Sequence, residues 1–200
     1  MKVLFLDNDG VICLSNNWGG RAKKWAKYRS ENPNSSNDKK DAPVDVRFDN
    51  FDEKAIKVLN SILEETGAEI VVSSDWRFHA NLEELGEYYE SQGIIKRPIS
   101  TTSKTEEINP ELWKYLRFRA DLELERSIEI LDWLEKHPEV TNWVAVDDLD
   151  MSIDFLSKHF AHKDPDNDEK PGLTNFVHTP RSNEGIKQSG VKEKILKFLL

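Results

Sequence analysis

The 200-residue chain predicts an α/β fold built on a central, mostly parallel sheet. Three observations predict it. Short apolar runs alternate with stretches of helical periodicity, as successive strand-helix-strand units require. Three of the runs (Val3 to Leu6, Ile70 to Val72, Val144 to Val146) stop at polar clusters: Asp7-Asn8-Asp9, Ser73-Ser74-Asp75 and Asp147-Asp148. Ligands of open α/β sheets bind beyond the carboxyl ends of the strands, so the clusters are expected on one rim.

Taken in order, Val3 to Leu6 reads as a strand buried on both faces, ending at two acids and Gly10. Residues 14–50 change character. Arg21 to Arg29 is basic enough for one short exposed helix, and Ser30 to Pro43 is an Asn/Ser-rich loop. The segment cannot build a second core, so it is expected to be a cap-type insertion within a single domain spanning 1–200. Ala55, Val58, Leu59, Ile62 and Leu63 then keep helical spacing, closed by Thr66-Gly67. Ala68 to Val72 is the second strand. A helix across about 80–90 follows, with Leu82, Leu85 and Tyr89 inward. Residues 93–124 read as an accessory insertion: Ile94, Ile95 and Ile99 suggest short extended pieces, and Leu112, Trp113, Leu116 and Phe118 a helix. Ser127 to Glu135 is helical, with Ile128, Leu131 and Leu134 on one face and Pro138 as the stop. The strand Trp143 to Val146, a helix near Ile153 to Lys158, a charged loop, the strand Asn175 to His178 and an amphipathic helix (Val191, Ile195, Phe198, Leu199) complete the chain.

The net charge of −9, with pI near 5.1, argues against a mainly electrostatic nucleic-acid binder. It permits an enzyme that grips one nucleic-acid end through a local basic cluster, and it suits a metal held by acids. No apolar stretch approaches membrane-spanning length, so no membrane partner is expected. Lys2 and Val3 to Leu6 are too short for a secretory leader and run into acids. With one cysteine, Cys13, the expected location is cytoplasmic. No sequence feature points to a protein partner.

Asp7 and Asp9 are two residues apart, and on extended chain they point the same way. One can attack phosphorus while the other handles the leaving group's proton. Paired acids beside a phosphate call for a cation, and Mg²⁺ takes oxygen ligands. The plainer alternative is a polar turn. Asp147-Asp148 would add to a metal shell, although Asp148 or Asp150 could instead cap the following helix. Ser73 could donate to a phosphoryl oxygen or simply form a turn. Arg126 could offset phosphate charge or make a surface ion pair with Glu123, Glu125 or Glu129. Trp18, Arg21, Lys23, Lys24 and Trp25 interleave aromatic and basic groups as a nucleotide-end binder might, but docking of a charged helix by its two Trp is preferred. Trp76 and Arg77, nearer the acids, are better candidates for substrate contact. His159 and His162 precede Asp164, Asp166 and Asp168 without completing a metal pattern, and Cys13 reads as packed core.

Leu4 to Gly10, Val71-Val72-Ser73, Arg126 and Val144 to Asp148 follow, in order, the four motifs of the haloacid dehalogenase-like superfamily. Ser74 to Arg77 and Arg126 to Val140 more closely resemble the domains of that superfamily found in Swiss Army Knife RNA-repair proteins. The resemblance spans about residues 2–199. It implies a Rossmann-like, three-layer α/β/α core, bound Mg²⁺ and an aspartyl-phosphate intermediate. Asp7 would be nucleophile and metal ligand. Asp9 would be general acid/base, offering its main-chain carbonyl to the metal. Ser73 and Arg126 would hold the phosphoryl group, and Asp148, with Asp147 directly or through water, would complete the metal shell. Asn8, Gly10, Ser74, Trp76 and Arg77 would line the substrate. The third motif is commonly Lys, which leaves Lys104 as alternative to Arg126. The expected activity is phosphatase, on phosphorylated nucleic-acid ends or nucleotides. A small phosphorylated metabolite as substrate and a non-catalytic binding module are the rivals.

Overall fold

The computed structural model describes residues 1–103, 107–108, 122–161 and 172–200. Five parallel strands form one sheet, in the order β3-β2-β1-β4-β5. They are β1 (Lys2–Leu6), β2 (Glu69–Val72), β3 (Ser100–Thr101), β4 (Asn142–Asp147) and β5 (Phe176–His178). The helices are α1 (Gly20–Glu31), α2 (Val44–Arg47), α3 (Glu53–Thr66), α4 (Leu82–Ser91), α5 (Leu122–Glu135), α6 (Ile153–Ala161) and α7 (Val191–Leu199).

The register explains the rim. Leu6 pairs with Val72 on one side and with Val146 on the other, so three apolar strands end level. Side chains alternate across β1. Leu4 and Leu6 join one buried cluster with residues of α3, α4 and α7, whereas Val3 and Phe5 join another with Ile130 and Trp133 of α5. Phe5 meets Trp133 edge to face, at 5.3 Å between ring centroids. Two apolar layers around one sheet are the expected three-layer, Rossmann-like α/β/α architecture.

The helix boundaries follow from local chemistry. Asp52 accepts from the Ala55 amide (2.9 Å) to start α3, and Gly67, at φ +69°, ends it. Asn81 and Glu84 form a reciprocal capping box at α4. Leu82, expected inward, is 39% exposed: it sits in the first turn, where α4 leaves the core, while Leu85, Tyr88 and Tyr89 are buried. Of the extended pieces expected at Ile94-Ile95 and at Ile99, the strand that forms is β3, directly after Ile99, whose N–H donates to Ile70 O (2.9 Å). Arg126 lies within α5 (Leu122–Glu135) rather than at its start. Lys104, the Leu112–Phe118 helix and the loop 162–168 lie outside the described residues, and the side chain of His159 is likewise not described.

Residues 14–50 are held to the sheet at both ends of the segment; of the two tryptophans only Trp18 contributes, by its Nε1–H donating to Cys13 O (3.1 Å) rather than by apolar docking. α1 buries no residue, Trp18 is 48% exposed, and Trp25 stacks on Tyr28 at 5.9 Å. Asp49 does the fastening. Its buried carboxylate accepts from the amides of Gly19 (3.3 Å) and Arg21 (2.5 Å), capping α1 from the far end of the segment. Phe48 then inserts into the core and stacks on Trp76 at 4.1 Å.

Candidate active site

Asp7 leaves β1 with its amide donating to Val146 O (3.1 Å), and Asp147 is the last residue of β4. Asp7, Asp147 and Asp148 each bring a carboxylate oxygen within 4.8 Å of the others. Three hard oxygen donors, two on buried residues and one half-buried, suit a divalent cation of the Mg²⁺ type. Their titration says the same. Burial, then the charge of Asp147, push Asp7 well above the usual carboxylate range, with Arg126 opposing. Burial and Asp147 push Asp148 to about 6. The cluster is short of positive charge.

Arg126 supplies part of it. Its Nη1 lies 3.1 Å from Asp7 Oδ1 and 2.9 Å from Asp147 Oδ2, and its Nη2 lies 3.0 Å from Asp75 Oδ1. The surface pairing with neighbouring glutamates does not form: the residue is 8% exposed, and Glu129 pairs with Arg77. Asp148 is not a helix cap either. Asp150 Oδ1 accepts from Ser152 N–H and Ser152 Oγ from Phe155 N–H, which starts α6 without it. The Asp148 carbonyl accepts from the His178 ring at 2.9 Å, fixing the backbone behind the carboxylate.

Asp9 stands apart from the carboxylate cluster. Trp76 Nε1–H donates to its Oδ2 (2.8 Å), and burial raises its pKa while this bond lowers it. Trp76 therefore meets Asp9 through its ring nitrogen, not its face. One face is stacked on Phe48, Phe51 lies at 5.3 Å, and the ring is 3% exposed. Asn8 points into the core, where the Tyr89 hydroxyl donates to its Oδ1 (2.6 Å). The hydroxyls of Ser73 and Ser74 are buried and have no hydrogen-bond partner among the described residues. A buried, unsatisfied donor at a strand end costs free energy unless a ligand accepts from it.

Gly10 has two reasons to be glycine. Its φ is +73°, and a Cβ there would lie 2.1 Å from Asp148 Oδ2. Gly10→Ala is expected to displace Asp148, costing about 2 kcal/mol in stability and weakening divalent-cation binding. Thermal melts with and without Mg²⁺ would check it: an unchanged Mg²⁺-induced rise in Tm would refute the argument.

Arg77 does not join the rim. It is 6% exposed, bonded to Glu129, with Asp75 Oδ1 3.8 Å from its Nη1. Asp7, Arg126, Asp75, Arg77 and Glu129 thus form one chain of alternating charge. Sequence reasoning singled out Asp7, Arg126 and Arg77 as site residues and neither of the acids that link them, Asp75 and Glu129. The missed signal is the spacing of Arg126, Glu129 and Asp132, three polar residues three apart and all buried on α5.

A parallel sheet with three carboxylates, a buried arginine and unpaired hydroxyls on its carboxyl rim defines the phosphatase-type hydrolases of the haloacid dehalogenase-like class. The family model of the HAD domain in Swiss Army Knife RNA repair proteins matches residues 3–185, and the chain belongs to that family. No curated protein and no solved structure matches the chain. No helix among the described residues is long and apolar enough to cross a membrane.

Proposed function

We propose that the protein is a Mg²⁺-dependent phosphatase that works through an aspartyl-phosphate on Asp7, with phosphorylated nucleic-acid ends or nucleotides as substrates. The convergence of Asp7, Asp147 and Asp148 opposite Arg126, with Asp9 held separately, supports this reading best. The nucleic-acid part is supported by the family match.

Asp7 attacks phosphorus, and the bond to the leaving oxygen breaks as Asp9 delivers its proton there. Asp9, now a carboxylate, takes a proton from the water that attacks the phospho-Asp7, which releases phosphate and restores both acids. The raised pKa of Asp9 suits a group that must be protonated for the first step. Ser73 and Ser74 donate to phosphoryl oxygens, and Arg126 offsets the charge developing there. Mg²⁺ held by Asp7, Asp147, Asp148 and the Asp9 carbonyl would neutralise the anion that Asp7 must approach. Arg77 and Asn8 position neighbours rather than contact substrate, and residues 14–50 serve as the cap.

The decisive measurement is hydrolysis of an aryl phosphate with Mg²⁺ or EDTA, by wild type and by Asp7→Asn. Turnover by wild type with Mg²⁺ alone is expected. Equal rates for wild type and variant with every divalent ion would sink the proposal. Trp76→Phe removes a donor that stabilises the Asp9 carboxylate, so its pKa rises further. The alkaline limb of the kcat/KM profile, where Asp9 loses the proton needed in the first step, is then expected to move to higher pH, and an unmoved limb would separate Trp76 from the proton transfer.

A further inference from the structure

A cleft of about 400 Å³ opens beside Asp9 and is lined by Arg21, Lys39, Lys40 and Arg47 of residues 14–50, with Asp75 and His79. The volume suits a group of nucleotide size. Asp9 faces this cleft, and Asp9 is the residue that would protonate the leaving oxygen, so the leaving group must occupy the cleft.

The charges lining it are not equivalent. Arg47 is already matched by Glu84, with bonds of 2.7 and 3.0 Å, and Asp75 by Arg126. Arg21 reaches Asp49 only at 3.7 Å and is 57% exposed. Lys39 and Lys40 are exposed and have no carboxylate within ion-pair distance among the described residues. Three cations thus face a leaving group in a chain of net charge −9. The segment 14–50 itself holds eight Lys/Arg against five Asp/Glu, the opposite balance to the chain as a whole. Of the aromatic rings at the cleft, Phe48 and Trp76 stack on each other and are 1% and 3% exposed, which leaves the single imidazole of His79 as a plate for a base. With three cations against one exposed ring, what the cleft chiefly recognises is negative charge.

We infer that Arg21, Lys39 and Lys40 form a second phosphate subsite, which selects phosphomonoesters whose leaving group itself carries a phosphate. Either a nucleoside bisphosphate or the next phosphodiester of an end-phosphorylated oligonucleotide supplies that chemistry. The inference rests on the phosphatase reading for which side of Asp9 the leaving group takes. Recognition is by backbone charge, independent of base, and therefore salt-dependent.

The test compares kcat/KM for an aryl phosphate, a nucleoside monophosphate, a nucleoside 3′,5′-bisphosphate and end-phosphorylated oligonucleotides of different sequence. Wild type is expected to favour the bisphosphate and oligonucleotides at low salt, with little effect of base. In Lys39→Glu/Lys40→Glu the ratio of bisphosphate to aryl-phosphate kcat/KM is expected to fall about tenfold. Lys23→Glu/Lys27→Glu, with the same charge change on α1 outside the cleft, should leave the ratio unchanged. Equal ratios in both double variants, or no wild-type preference for the second phosphate, would overturn the subsite. A bisphosphate preference without an oligonucleotide preference supports the subsite and assigns it to nucleotides. Binding of the bisphosphate and of a fluorescent oligonucleotide to Asp7→Asn is read in parallel by calorimetry and anisotropy. Loss of binding in Asp7→Asn/Lys39→Glu/Lys40→Glu supports the subsite even if no substrate turns over, so its failure and that of the phosphatase reading are distinguished.

Discussion

Asp7→Asn is expected to lower aryl-phosphate turnover by about 10⁴-fold or more, the scale of removing a nucleophile that defines the reaction. The same substitution should stabilise the cation-free protein. Burial and the neighbouring acids hold the Asp7 pKa well above its ordinary value. A group whose pKa is raised by folding favours the fold below its unfolded pKa and loses that contribution as pH rises through the folded one. Ionising Asp7 within the fold therefore costs stability, and an amide of the same shape never carries that charge. Arg126 keeps Asp147 and Asp75 as partners, so it is not stranded. Loss of activity with a Tm no lower than wild type, measured in EDTA, is the expected pair of results. Loss of activity with a collapse in Tm would make Asp7 a structural acid and withdraw the mechanism. Mg²⁺ should raise the Tm of wild type more than that of the variant, since one ligand is gone.

The rim was legible because a strand buried on both faces must end abruptly in polar residues, and β1, β2 and β4 all do so. Asp7, Ser73 and Asp147-Asp148 could be placed by that rule alone. The connections between these groups were not legible, because they join residues far apart in the chain. Trp76 and Asp9 are separated by 67 residues, and Tyr89 and Asn8 by 81. Nothing local marks Trp76 as a hydrogen-bond donor rather than a substrate platform, and its covering by Phe48 depends on how residues 14–50 return to the core. The same segment shows why periodicity misleads. Its tryptophans look like docking residues, but α1 is fastened by backbone bonds to one buried acid, Asp49, and by the Lys24 ammonium donating to Asp45 O, Phe48 O and Asn50 Oδ1. Arg126 was ambiguous for a related reason: acids on the neighbouring turns suggest a surface pair, and only the packing of α5 on the sheet turns the guanidinium toward Asp7.

Arg77→Ala is expected to cost about 3 kcal/mol, because it leaves Glu129 buried without its direct partner. The pH dependence separates this from a simple loss of packing. In wild type, burial pushes the Glu129 pKa up to about 7 while Arg77 and then Arg126 pull it down. Without Arg77 the pull weakens and the pKa in the folded protein rises further. The contribution is then fully present below the unfolded pKa and is lost as pH rises through the new folded value, so the variant should lose stability more steeply above neutrality than wild type does. Adding Glu129→Gln to Arg77→Ala removes the titrating group and should flatten that dependence. Denaturant melts between pH 6 and about 9 would read both effects; parallel curves for wild type and Arg77→Ala would show that Glu129 is not the group responsible. The activity of Arg77→Ala is informative for a different reason. Asp75 stands between Arg77 and Arg126, so losing Arg77 leaves the Asp75 carboxylate to Arg126 alone and draws that guanidinium from Asp7. A residue acting through this chain should change kcat more than KM for an aryl phosphate, whereas a residue touching substrate would change KM.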